Sequence, residues 1–283
     1  MSTDLPHLAV TGSTGGLGGR VARGLDASDI PQRLLVRDVA RVPRLAGGVP
    51  AVFAGYADRA GAIKALEGVT TLFMVSASET ADRRDQHRAF IDAAAEAGVR
   101  HLVYTSFLHA APEATFTLAR DHYFTEEHVK ASGMDWTFLR DNIYLDFLPH
   151  MFGEDGVIRG PAGDGVFSAI SRDDIAASAT QVLARPGAHA GVTYDLTGPE
   201  ALSMSGVAGT LSSALGREIR YHEETIEEAY ESRRQWQARD WQYDAWVSTY
   251  TAIAAGELAD VTDHVLTLTG RPPATLAEYL RRG

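Results

Sequence analysis

Residues 10–18 read Val10-Thr11-Gly12-Ser13-Thr14-Gly15-Gly16-Leu17-Gly18. They follow a short apolar run at 5–10 and open a helical pattern at 16–25. A strand, a glycine-rich turn and a helix in that order form the phosphate-binding unit of a dinucleotide fold. Gly12 permits the tight turn, Gly15 lets backbone come close to a pyrophosphate, and Gly18 lets the helix pack on the strand. Thr14, Gly16 and Leu17 complete the loop, and the phosphates would lie on the free N–H groups of the helix N-terminus.

Outward from the loop, apolar runs alternate with helical patterns. The runs are 33–37, 51–54, 71–75, 101–105 and 136–140, all short and mostly apolar. Such runs read as strands buried on both faces. Between them, 59–66, 80–97 and 118–131 read as helices; in 80–97, Phe90, Ala94 and Ala97 recur at i, i+4, i+7. Gly98 follows as a helix stop. The alternation predicts an α/β protein with a Rossmann-like, doubly wound parallel sheet over residues 1–150. Residues 151–283 are less regular and are expected to form a small α/β C-terminal substrate lobe, with some segments returning to the sheet. There, 152–165 is glycine-rich and reads as a loop, while 172–183, 202–215 and 275–280 read as helices. Residues 191–196 and 218–222 read as strands, and 223–255 as helical, acidic and aromatic.

Arg37 ends the second run, 25 residues after Gly12. An acid at that place would accept hydrogen bonds from a ribose 2′-OH, whereas an arginine pairs with a 2′-phosphate. NADP(H) is therefore the preferred cofactor, and Asp38 beside it keeps NAD(H) open.

Composition narrows the function further. The 283 residues include 26 basic and 37 acidic side chains, a net charge of −11, and no cysteine. The absence of cysteine excludes disulfides, thiol catalysis and Cys-ligated metals. The net charge argues against direct nucleic-acid binding. Yet residues 1–140 hold 15 basic and 16 acidic side chains, so nearly all the excess lies in the second half. The first half is free to take a phosphorylated cofactor. No apolar run reaches the roughly 18–20 residues of a membrane span. The start, Met1 to His7, has neither a basic region nor a long apolar stretch. A cytoplasmic protein with no membrane partner is expected, as a monomer or homodimer. The histidines show no metal-ligand spacing, His122 and His128 being six apart, so no metal site is expected. No Gly-x-Ser-x-Gly elbow occurs.

Several stretches together resemble the NmrA-like branch of the atypical short-chain dehydrogenases. They are Thr11-Gly12-x-Thr14-Gly15-x-Leu17-Gly18, Ser76-Ala77-Ser78-Glu79, Gln86-His87-Arg88 and Tyr104-Thr105-Ser106-Phe107-Leu108-His109-Ala110. Leu139-Arg140, Ala162-Gly163-Asp164-Gly165 and Arg172-Asp173-Asp174-Ile175-Ala176 continue the likeness, which runs to about residue 215. Within that branch the chain is similar to bacterial NAD(P)H:quinone oxidoreductases. The resemblance implies hydride transfer to a quinone or similar small carbonyl or aromatic acceptor, bound between a Rossmann-like domain and a smaller lobe. It implies that Ser76, Ala77, Ser78, Thr105, Ser106 and Phe107 lie along the ribose and nicotinamide. The branch also contains a dinucleotide-binding regulator, so a non-catalytic redox sensor with a protein partner is the rival reading. A sugar-nucleotide epimerase ranks last.

The chain departs from the pattern in two places. Dehydrogenases of this class use a Tyr-x-x-x-Lys pair, and none of the ten tyrosines has Lys four residues on; Tyr123 is followed there by Glu127. Gly55 stands where relatives often carry an Asp near the adenine. By resemblance to aromatic-alcohol and isoflavone-type reductases, which carry a Lys early in the helix before the sixth strand, His122 takes that position and becomes the candidate acid, since imidazole titrates near neutrality. It serves equally as a hydrogen-bond partner of the cofactor or as a half-buried helix residue. Tyr104, at the end of a buried strand, is the second catalytic candidate. Asn142 and Tyr144 follow the sixth strand and are weaker candidates for the same cleft. Trp236, Trp246 and Trp241 cannot share one narrow helix stripe, and one of them is a candidate floor for an aromatic substrate pocket.

Overall fold

The computed structural model describes residues 5–282. Met1–Asp4, part of the stretch read as lacking a leader, lies outside the described residues. The first elements are β1 (Leu8–Val10), α1 (Gly18–Asp26), β2 (Gln32–Val36), β3 (Gly48–Val52), α2 (Arg59–Leu66), β4 (Thr71–Met74) and α3 (Arg83–Glu96). Next come β5 (His101–Phe107), α4 (Thr117–Ala131), β6 (Asp135–Asp141), β7 (Val157–Gly160), β8 (Val166–Phe167), α5 (Arg172–Ala184) and β9 (Val192–Asp195). The chain ends with β10 (Leu202–Ser203), α6 (Met204–Leu215), β11 (Arg220–Glu223), α7 (Ile226–Arg233), α8 (Asp240–Ala254), α9 (His264–Thr269) and α10 (Leu276–Arg282).

Two compact units divide the chain. The first takes residues up to Ser106 together with Asp121–Arg140 and Arg172–Tyr194. Its frame is a seven-stranded sheet in the order β3-β2-β1-β4-β5-β6-β9. The registers from β3 across to β5 are parallel. This is the expected Rossmann-like α/β architecture. Strand β2 shows how the sequence builds it. Leu35 joins a core with Phe53, Leu66 and Phe90, while its neighbours Leu34 and Val36 join Ala22 of α1. Successive side chains on a strand point to opposite faces, so an unbroken apolar run feeds two cores. The edge strands β3 and β9 differ from the central ones, being only partly buried.

The second unit takes Phe107–Arg120, Asp141–Ser171 and the chain from Asp195 onward. Its core joins Phe107, Leu145, Ile158, Phe167, Leu211 and Ile253. Two small sheets brace it, β7 parallel to β11 and β8 antiparallel to β10. The glycine-rich stretch 152–165 is therefore not wholly a loop, because Val157–Gly160 pairs with Arg220–Glu223. Composition hid that strand, since a Cβ on Gly160 would overlap the ring of Tyr250. The long helical stretch is also broken. A capping box between Thr225 and Glu228 starts α7. The Tyr243 hydroxyl then pins the break, donating to Trp236 O at 2.7 Å and accepting from Ala238 N–H at 3.2 Å. Among the described residues, no helix is long and apolar enough to cross a membrane.

Candidate cofactor site

The first unit holds a cavity of about 350 Å3 beyond the carboxyl ends of β1, β2, β3 and β4. Open parallel sheets bind ligands at that end. Six residues read from the sequence line it: Gly12, Thr14, Arg37, Ser76, Ala77 and Ser78. Gly12 has φ +63, and its carbonyl accepts from Gly15 N–H at 2.8 Å, closing the turn. Gly18 is buried, and a Cβ there would stand 2.5 Å from both Gly12 O and Thr11 O. Helix α1 can therefore leave the strand this tightly only with glycine at that position. Leu17 is buried, whereas Gly15 and Gly16 lie exposed on the loop.

Two observations test whether the loop suits a phosphorylated ligand. Ser13 Oγ is buried in it without a hydrogen-bond partner. An orphaned buried hydroxyl is costly unless a ligand or water supplies the missing bond. Arg37 is exposed at the cavity, while Asp38 turns away, its carboxylate accepting from Ala40 N–H at 2.9 Å to cap a short 3-10 turn. The site thus offers an exposed guanidinium to a phosphorylated ligand. Its residues fit a dinucleotide.

Two supporting residues, Tyr56 and Arg83, were not read from the sequence, and Gly55 and Gln86, named there for other reasons, also line the cavity. Tyr56 lines the cavity, and its hydroxyl lies 2.5 Å from Val75 O and 2.7 Å from Thr11 Oγ1, tying three strand ends together. Burial pushes that phenol well above its ordinary pKa. Gly55 has φ +145 with nothing near a built Cβ, so its backbone, not a lack of space, favours glycine there. Gln86 lines the same cavity. Arg83 is buried one turn before His87 on α3, and that i, i+4 polar pair on a helix face was the available signal.

Arg83 and His87 hold the Ser76–Ser78 segment from behind. Arg83 Nε donates to Ala77 O at 3.0 Å, and Ala77 N–H donates to His87 Nε2 at 2.9 Å. Ser76 N–H donates to Thr105 Oγ1 at 2.9 Å. His122 and Tyr104 complete this network and do not line the cavity. Arg83 Nη2 lies 3.0 Å from His122 Nε2, and Tyr104 Oη lies 3.0 Å from His122 Nδ1. A guanidinium can only donate, so His122 Nε2 accepts and the proton sits on Nδ1. Burial and the Arg83 charge hold the His122 pKa well below its ordinary value. Tyr104 is fully buried, and burial raises its pKa.

Ser106, Phe107, Asn142 and Tyr144 do not line this cavity. Ser106 Oγ donates to the buried Glu126 at 2.5 Å, and Arg140 grips that carboxylate through two bonds of 2.8 and 2.6 Å. Phe107 packs on Phe116, with ring centroids 4.9 Å apart, in the second unit's core. Asn142 is buried and donates to Ser168 Oγ and Leu258 O, both at 3.0 Å. Tyr144 donates to Asp141 at 2.6 Å and stacks on Phe147.

The buried imidazoles carry a pH prediction. Burial first, and Arg83 second, push the His87 pKa down from 6.5 to about 3. In the unfolded chain this imidazole gains a proton as pH falls through 6.5, but in the folded chain it stays neutral until about 3. Stability is therefore complete above that upper value and declines below it, by about 1.4 kcal/mol per pH unit for one such group. His87→Gln keeps an acceptor for Ala77 N–H and removes one titrating group. Its urea midpoint is expected to fall less than wild type on going from about pH 6.5 to about pH 5. An equal fall would show that His87 does not carry this acid sensitivity.

The sequence pattern of the NAD(P)H-binding family matches residues 12–186. The NAD(P)H azoreductase of Xenophilus azovorans is 35% identical over 278 residues, 97% of this chain and 96% of that protein. The crystal structure of an NADPH-dependent quinone oxidoreductase from Escherichia coli, complexed with NADPH, matches with a TM-score of 0.88 and 32% identity, covering 97% of this chain and 99% of that one. The triphenylmethane reductase of Citrobacter sp., complexed with NADP(H), matches with a TM-score of 0.86 and 28% identity, covering the same 97% and 99%.

Proposed function

We propose, from the premise that this chain belongs to the NAD(P)H-binding family and its NmrA-like oxidoreductases, an NAD(P)H-dependent reductase of quinone-like acceptors. The observation that carries it is the glycine loop itself. Its backbone is bared at Gly12, Gly15 and Gly16, its serine lacks a partner, and Arg37 stands at the same cavity. When bound, the reduced nicotinamide supplies a hydride, and the protein's share is binding, orientation and electrostatics.

The residues divide that share. Gly12, Thr14, Gly15, Gly16, Leu17 and Gly18 hold the pyrophosphate, and Arg37 holds a 2′-phosphate, which favours NADPH. Ser76, Ala77 and Ser78 present their segment to the ribose side, and Thr105 fixes it from below. His122 and Tyr104 act as positioning residues through Arg83, not as proton donors. A neutral imidazole whose Nδ1–H faces a buried tyrosine is a poor acid at neutral pH. Quinone-like acceptors suit such a site, because the charge left on their reduced oxygens is delocalised and takes protons from solvent.

Stopped-flow mixing of the NADPH-loaded chain with simple quinones is expected to show acceptor-dependent loss of the reduced-nicotinamide absorbance. The reading fails if NADPH binds but quinone, azo and triphenylmethane acceptors all leave it unoxidised. Preference for the oxidised cofactor with no turnover would point instead to a redox sensor.

A further inference from the structure

The acidic, tryptophan-rich part of the chain has no role in the site above. It builds a second cavity of about 960 Å3, wholly within the second unit. Trp236, Trp246 and Tyr250 line it, with Phe152 beside them. Aromatic walls with a few polar groups are the usual make-up of a small-molecule pocket.

These walls are fixed in place. Trp236 lies in the break between α7 and α8 and meets Trp246 edge to face, with centroids 6.3 Å apart and planes at 86°. Tyr243 closes the other side of Trp246 at 84° and hydrogen-bonds the backbone of Trp236. Tyr250 lies on the bare backbone of Gly160, where a Cβ would overlap its ring. Despite this bracing, Trp236 remains 55% exposed. Its ring therefore stays open to a ligand at the edge of the aromatic cluster.

The charges around the rings favour one sign of ligand. Arg159 is paired with Asp155 at 2.5 Å, and Arg233 with the buried Glu224 at 2.8 Å. Both guanidiniums lining the cavity are therefore paired, and the rings beside them already take cations: Arg233 lies over Tyr250, 5.1 Å from its centroid, and Arg217 over Phe152 at 4.7 Å. Glu154 lines the same cavity with no ion pair among the described residues. Indole faces attract cations, and the surplus of carboxylates after residue 140 repels anions.

We propose that this cavity binds a flat aromatic cation against Trp236 and Trp246, with Glu154 as its counter-ion. The inference is independent of the hydride reading, because binding is measured without cofactor. The full-length chain, labelled with 15N, is titrated with N-methylquinolinium, with its neutral analogue quinoline and with the anion 2-naphthoate. The indole N–H signals of Trp236 and Trp246 shift saturably, those of Trp136 and Trp241 do not, and affinity falls from cation to neutral to anion. Trp236→Ala weakens the cation about tenfold. Glu154→Gln weakens the cation roughly two- to fivefold and leaves quinoline unchanged. Unchanged melting midpoints for both variants show that the fold is intact. Three results overturn the proposal. One is no saturable shift at millimolar probe, and another is 2-naphthoate binding as tightly as the cation. The third is a Trp236→Ala chain that keeps its affinity but loses an oligomer in sedimentation, which would assign the rings to a second copy of the chain.

Discussion

Gly18→Ala is expected to abolish measurable NADPH binding and to lower stability by about 1–3 kcal/mol. The added methyl would sit 2.5 Å from two backbone oxygens, Gly12 O and Thr11 O. Neither oxygen can step aside as a flexible side chain would. Gly12 O is held by Gly15 N–H, and Thr11 follows directly on β1. Relief must come from moving the start of α1 away from the strand, which opens the loop that the pyrophosphate needs closed. Gly209→Ala is the matched control. Gly209 lies inside α6 with nothing within 4 Å of a built Cβ. There the same methyl reduces the freedom of the unfolded chain and should raise stability by about 0.4–1 kcal/mol without touching cofactor affinity. Calorimetry with NADPH and urea unfolding of both variants check the pair. Wild-type affinity in Gly18→Ala would mean that the loop does not hold the pyrophosphate.

The same contrast explains what was legible in the sequence. Gly18 could be read because its constraint is local, set by residues six and seven positions earlier. The buried strands were legible for a similar reason, since a run such as Leu34-Leu35-Val36 has to feed two faces wherever its partners come from. The network behind Ala77 was not legible. Its bonds span Arg83 to His122 and His87 to Thr125, so a helix histidine that reads as a candidate acid gives no hint of the guanidinium facing it. Strand β7 was hidden by Gly160, which is there for a ring ninety residues away. Trp236 and Trp246 seemed unable to share a face because the reading assumed one helix, and the break between α7 and α8 is what lets them meet.

Arg37→Gln is expected to raise the KM for NADPH about 10- to 100-fold while leaving that for NADH within about twofold. A hydrogen bond to a charged group contributes about 1.5–3 kcal/mol, which spans that range. Exposure of Arg37 places the effect toward the lower end and makes it shrink with salt, as screening shortens the reach of surface charge. The asymmetry between cofactors is the informative part. NADH lacks the 2′-phosphate, so it loses no charged partner when the guanidinium is removed. Asp38 does not reverse the preference in the wild type, because its carboxylate is already spent on Ala40 N–H. In Arg37→Gln the nearby Arg41 and Arg44, both exposed, can retain some long-range attraction for the phosphate but no bond fixed at the cavity. Steady-state kinetics with both cofactors at two salt concentrations separate these contributions. An equal loss for NADPH and NADH would place Arg37 on the part the two share, and the 2′-phosphate would then have to be held by other groups.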